Sequence, residues 1–365
     1  MKVFEINSLN EYIELIKSNK LNEYYFRGEN NKYDSIISSL LRKDESKLLK
    51  RKNFNFYENV INKYYEEIAT NISEFDRNNF LAFSQHHGLP TNLIDLTSSP
   101  LISLYFACSK DAYKKNDKGY VYLISKERTI DSSRLINELF TPPKENYNLI
   151  SLFTMQNKLV FNWFVSCLNN YFWHNGFEPY LQDILKQCTE LSSTSVNNIL
   201  NFFNDYMNAM QDFKLVTNPE LFNELLFENS KIDLEVGQCT NFTGVYINLI
   251  SEFFSALNSI HFFNNTGLDI KFPNMPYFIY KTPYKFDRVR NQEGLFLYQL
   301  YYTYASECEG IPNKIIKQTV TPDLAIIINN QKHILEELDF IGINEKSIYG
   351  DFDSIAKYIS QKFFN

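Results

Sequence analysis

Glycine and proline are scarce in this chain, with 11 of each in 365 residues. That scarcity excludes collagen-like repeats and long low-complexity linkers. Cysteine is scarcer still. Cys108, Cys167, Cys188, Cys239 and Cys308 are scattered, odd in number and never spaced as CxxC. Neither a disulfide scaffold nor a cysteine-rich zinc site fits that spacing. Lys and Arg (36) are outnumbered by Asp and Glu (43), for a net charge of −7, which argues against bulk electrostatic binding of nucleic acid. The most basic stretch, residues 42–52, reads as a solvated helix face. Long apolar runs are missing too. Residues 246–263 are the most apolar, but Glu252 and several Asn and Ser make them too polar to span a bilayer. The first residues lack the apolar core of a secretory signal. A cytoplasmic protein without membrane association is expected. What is abundant is aromatic: 32 Phe and 25 Tyr give the folded state much area to bury.

Hydrophobic periodicity predicts mixed elements over residues 1–126. VFEI alternates, and Ser8 caps a helix carrying Leu9, Tyr12, Ile13 and Ile16 on one face. Strands are predicted at 23–29 (EYYFRGE), 92–96 (NLIDL) and 119–125 (GYVYLIS), and helices between 54 and 87. Ser98 or Ser99 followed by Pro100 starts an apolar helix that runs to about Cys108. Residues 127–285 read as mainly helical, with Leu200, Phe203, Tyr206 and Met210 on one face, ending in a Pro-broken extended segment at 271–284. Strands return at 294–300 and 323–329, with helices at 331–338 and 353–363. The expected fold is an α+β core in two parts, 1–126 and 286–365, split by a large helical insertion at 127–285. The aromatic load of the insertion (Phe161, Trp163, Phe164, Phe172, Trp173) fits either packing on the core or a surface for assembly or target recognition, through a homo-oligomer or a regulatory partner.

Three segments concentrate unusual residues. In QHHGLPTNLIDLT, Gln85, His86, His87 and Thr91 sit between a helix and a strand, where imidazole and amide groups can meet a ligand. Adjacent histidines diverge on a helix and no third ligand is spaced for zinc, so no metal is expected. In FRGE, Arg27 ends a strand and offers a five-donor fork to a carboxylate or pyrophosphate, while Gly28 lets a ligand or another backbone approach. In RVRNQEGLF, Gln292 and Glu293 precede a strand and alternate in direction, so one of the two faces a cleft. Arg27, His86, His87 and either Gln292 or Glu293 are expected to converge. Asp95 and Thr97 are expected to serve architecture at the helix start.

Together YYFRGE (24–29), QHHGLPTNLIDLTSSPLISLYFAC (85–108), GYVYLI (119–124) and RVRNQEGLF (288–296) resemble the FRG domain family, named for its Phe-Arg-Gly tripeptide. The residues from the Lys332 helix onward also resemble the family's ending. Asn92 and Leu96 stand where the family usually has a basic residue and Trp. The resemblance implies a bacterial protein of the kind associated with mobile or defence loci. Its motif order is similar to that of ADP-ribosyltransferases, which implies an ADP-ribosyltransferase-like core. The implied activity is an NAD-dependent ADP-ribosyltransferase or NAD glycohydrolase, acting as a toxin or anti-phage effector. The alternative is a non-catalytic nucleotide or nucleic-acid binding module. Under the enzyme reading Arg27, His86, His87 and Glu293 are catalytic. Arg27, Gly28, Gln85, His87, Thr91 and Gln292 bind NAD as substrate, and the acceptor is an unknown protein or nucleic acid.

Overall fold

The computed structural model describes residues 1–42, 56–109, 118–191, 241–258, 270–282, 287–304 and 314–364. All of the basic stretch beyond Arg42, the predicted face from Leu200 to Met210, Cys239 and Cys308 lie outside the described residues. The chain begins with strand β1 (Lys2–Ile6) and helix α1 (Leu9–Ser18), whose Ser8 hydroxyl accepts from the Glu11 amide as predicted. Strand β2 (Tyr24–Glu29) follows, then α2 (Phe56–Ile68), α3 (Glu74–Asn78) and α4 (Phe80–His86). Next come β3 (Leu93–Thr97), α5 (Pro100–Cys108), β4 (Gly119–Ser125) and a short β5 (Thr129–Asp131). Among the described residues, the middle of the chain holds α6 (Ser133–Leu139), α7 (Leu149–Thr154), α8 (Lys158–Asn175), α9 (Glu178–Leu191) and α10 (Asn241–Asn258). The last part holds β6 (Tyr277–Tyr280), α11 (Asp287–Asn291), β7 (Gly294–Tyr298), β8 (Tyr301–Tyr304), β9 (Lys314–Lys317), β10 (Leu324–Ile328), α12 (Gln331–Phe340), α13 (Glu345–Tyr349) and α14 (Phe352–Phe364).

Among the described residues, eight strands form one mixed sheet in the order β1-β10-β4-β2-β3-β7-β6-β5, and β8 and β9 form a separate hairpin. The outer pairs β1–β10 and β5–β6 are parallel, and the inner pairs are antiparallel. The α+β class is as expected. The segment 127–285 differs from a purely helical insertion, because its two ends supply β5 and β6 to the sheet. Its helices pack onto that edge. Phe278 of β6 meets Trp163 and Phe164 edge to face at 5.3 and 5.4 Å. Phe161, Phe164 and Phe172 are buried, whereas Trp173 is 79% exposed.

Strand alternation distributes the core. Phe26, Val121, Leu123 and Ile326 pack under α1, α5 and α12, while Tyr25, Tyr122, Ile124 and Ala325 pack on the opposite face. One irregularity positions the site. β2 pairs with β4 along its whole length but with β3 at Phe26 and Thr97 alone. Beyond that pair the two strands part, and the sheet opens between them.

Candidate functional site

The opening leads to a cavity of ≈310 Å³. Its polar lining comes from five elements: Arg27 of β2, Gln85 and His86 at the end of α4, Asp95 and Thr97 of β3, Arg288 of α11, and Gln292 just before β7. Phe26, Leu96, Phe106, Val289, Leu295 and Phe296 form the apolar part. The mixture of an apolar floor with a few converging polar groups is typical of small-molecule sites.

Arg27 spans the gap in the sheet. Its Nε donates to Glu29 Oε1 at 2.7 Å and its Nη1 donates to the Asp95 carbonyl oxygen at 2.9 Å. The side chain thus replaces the backbone ladder that β2 and β3 do not form there. The Asp95 carboxylate accepts from Gln85 Nε2 at 2.8 Å. Gln85 is held in turn by Thr91, whose hydroxyl donates to Gln85 Oε1. Thr91 is fully buried and does not line the cavity, so it fixes Gln85 and is not itself placed to touch a ligand.

The expected contribution of Gly28 changes with the structure. Helix α5 crosses directly over it. A methyl group at Gly28 would run into the Ser103 carbonyl oxygen and lie 2.9 Å from both the Ala107 nitrogen and Phe106 Cβ. Gly28 lines the cavity, but its missing side chain makes room for a helix backbone. A sequence cannot tell that approach from the approach of a ligand.

The turn before β7 decides between Gln292 and Glu293. The Gln292 and Glu293 amides close the end of α11 by donating to the Arg288 and Arg290 carbonyl oxygens, at 3.0 and 3.1 Å. Glu293 then adopts a left-handed backbone, φ 43°, which carries its side chain out of strand alternation. Its exposed carboxylate accepts from the Ser98 hydroxyl at 3.1 Å and does not line the cavity. Gln292 does, and its buried Nε2 has no acceptor among the described residues. The Thr97 hydroxyl donates to the Gln292 carbonyl at 2.7 Å and accepts from the Ser99 amide at 3.0 Å, the architectural work expected of it. The Asp95 carboxylate is tied instead to the end of α4, through Gln85, and it lines the cavity.

The two histidines separate as well. His86 lines the cavity, half-buried. Burial lowers its pKa, and neighbouring His87 and Arg288 lower it further, against the opposing charge of Asp351. His87 is exposed and packs its ring on Phe83, centroids 4.4 Å apart, outside the cavity. Asn92 is fully buried and donates to the Gln299 carbonyl at 3.0 Å. Among the described residues no cluster of three or more His, Cys, Asp or Glu could hold a metal ion, and no helix is long and apolar enough to cross a membrane.

Arg288 also lines the cavity, a place that its position in the RVRNQEGLF segment does not by itself reveal. The Tyr349 ring lies under its guanidinium at 5.0 Å, and the left-handed Gly350 turn fits closely against Asn291. The family model of the FRG domain matches residues 22–116. This stretch is an FRG domain. The FRG segment supplies Arg27, Gly28, Gln85, His86, Asp95 and Thr97 to the cavity, while Arg288 and Gln292 come from beyond it. Neither the curated proteins nor the solved structures searched contain a match to the chain.

Proposed function

We propose that the cavity binds a nucleotide and consumes NAD, as an ADP-ribosyltransferase or NAD glycohydrolase acting as a toxin or anti-phage effector. The observation that carries this reading is the meeting of Arg27, Gln85, His86, Asp95, Arg288 and Gln292 at one opening in the sheet. Two guanidinium groups suit a pyrophosphate, and the apolar floor suits a planar base. The reaction breaks the N-glycosidic bond, whose electron pair leaves with neutral nicotinamide. The acceptor, or water, bonds to the ribose C1′ and gives up a proton. Asp95, the carboxylate in the cavity, would stabilise the oxocarbenium-like centre between these events. The likeness of the core to ADP-ribosyltransferases belongs to this proposal, and the opening between β2 and β3 supports it.

A second reading has its own support. The late carboxylate of the transferase pattern, Glu293, points away from the cavity, and Arg27 already holds a carboxylate partner in Glu29. Both features suit a module that binds a nucleotide without chemistry and senses a partner through residues 127–285. Incubation with labelled NAD, alone and with cell extract, separates the two. Release of nicotinamide with or without label transfer is the outcome expected of the enzyme. NAD or nucleotide binding with no release under any acceptor leaves the binding module, and no binding at all ends both.

A further inference from the structure

A second cavity, of ≈410 Å³, adjoins the first and shares Arg27, Gly28 and Phe106 with it. Its remaining polar lining includes Glu29, Asn30, Asp34, Ser35 and Arg42. The far wall is pinned in place. The Ser38 amide donates to Gln299 Oε1 at 2.9 Å, the Leu40 amide to the Thr91 carbonyl at 2.9 Å, and Arg42 Nη2 to the Ile37 carbonyl at 2.9 Å.

Glu29 is the unexplained group. Its side chain is 7% exposed. Oε1 takes the Arg27 Nε, and Oε2 is buried with no donor among the described residues. A buried carboxylate oxygen without a donor carries a desolvation cost that native structures seldom leave unmet. The opening of the sheet puts the residue beside a cavity where a donor can be supplied from outside.

We infer that the second cavity takes the hydroxyl-bearing sugar of a nucleotide whose phosphate lies at Arg27, with Glu29 Oε2 accepting a sugar hydroxyl. The inference rests on the nucleotide reading above and adds to it the part of the ligand and the residue that recognises it. Arg27 is then the shared anchor of both compartments. Glu29 holds the guanidinium through one carboxylate oxygen and reads the sugar through the other. Arg42 adds a second positive group at the far wall.

Calorimetric titration of the full chain with ADP, and with its 2′,3′-dideoxy analogue, tests this. The wild-type protein should bind ADP about tenfold or more tightly than the analogue, the range of one hydrogen bond to a charged acceptor. Glu29→Ala should bring the two ligands to equal affinity. Glu29→Gln keeps the volume and removes the charge, so it should fold as the wild type does and reduce the preference without reversing it. Equal wild-type affinity for the two ligands overturns the inference, as does a preference that survives both substitutions, and either result leaves nucleotide binding in place. Failure of both ligands to bind overturns the nucleotide reading and this inference with it.

Discussion

Arg27 and Glu29, two residues apart on β2, are joined Nε to Oε1 at 2.7 Å with 16% and 7% of their side chains exposed. Neither is a surface ion pair of negligible worth. Glu29 depends on Arg27 for compensation, since its other oxygen has no partner among the described residues. Arg27→Ala should therefore destabilise the protein, on the order of 3 kcal/mol, by leaving a buried charge uncompensated. Arg27→Ala combined with Glu29→Gln should recover part of that loss. Urea unfolding of the two variants checks both statements, and equal midpoints would show that the pair is not coupled.

Gly28→Ala should cost about 1–3 kcal/mol, the usual range for forcing a methyl group into a packed contact. The obstacle is backbone on both sides, the β2 strand and the Ser103–Ala107 part of α5, so neither can simply rotate away. A lowered melting temperature with intact secondary structure is the expected result. A melting temperature equal to the wild type would mean that the helix does not sit this close.

If the cavity releases nicotinamide, Asp95→Asn and Glu293→Gln should behave oppositely. Asp95 lines the cavity and Glu293 does not. Asp95→Asn should lower turnover by about 10²–10³-fold, as losses of transition-state electrostatics do. Glu293→Gln should keep the wild-type rate within about twofold, in line with the small effect of surface substitutions. Initial rates of nicotinamide release decide the matter. The reverse pattern would show that the 292–293 turn rearranges around the ligand.

Stability should rise with pH just below neutrality because of His86. Its folded pKa is lowered by burial first, then by His87 and Arg288, from an ordinary 6.5. The unfolded state therefore binds more protons in the window between the lowered value and 6.5. The His86 contribution is complete above that window and is lost as pH falls through the folded pKa. Unfolding free energies from pH 5 to 7 should show a shallower slope for His86→Gln than for the wild type. Identical slopes would assign the acid sensitivity to other groups.

Local chemistry made much of this protein legible in its sequence. Alternation marked β1 and β4, short apolar runs marked β2, β3 and β10, and Ser8 and Pro100 marked the starts of α1 and α5. The segments that meet at the cavity could be singled out because Arg, Gln and His beside Gly and Pro are unusual choices at the ends of elements. The FRG domain was visible for the same reason. Short β5, and the membership of β6 in the main sheet, were not legible, because a strand of three or four residues exists through its neighbours. Which group of each candidate pair enters the cavity was also decided by tertiary structure. A left-handed backbone at Glu293 turned its carboxylate toward Ser98 and left Gln292 inside. Packing on Phe83 held His87 outside while His86 faced in. The parting of β2 from β3 placed the Asp95 carboxylate, which holds Gln85, in the lining of the cavity. Residue type and spacing establish which groups are available. Their direction depends on backbone angles and long-range packing, and periodicity along the chain carries neither.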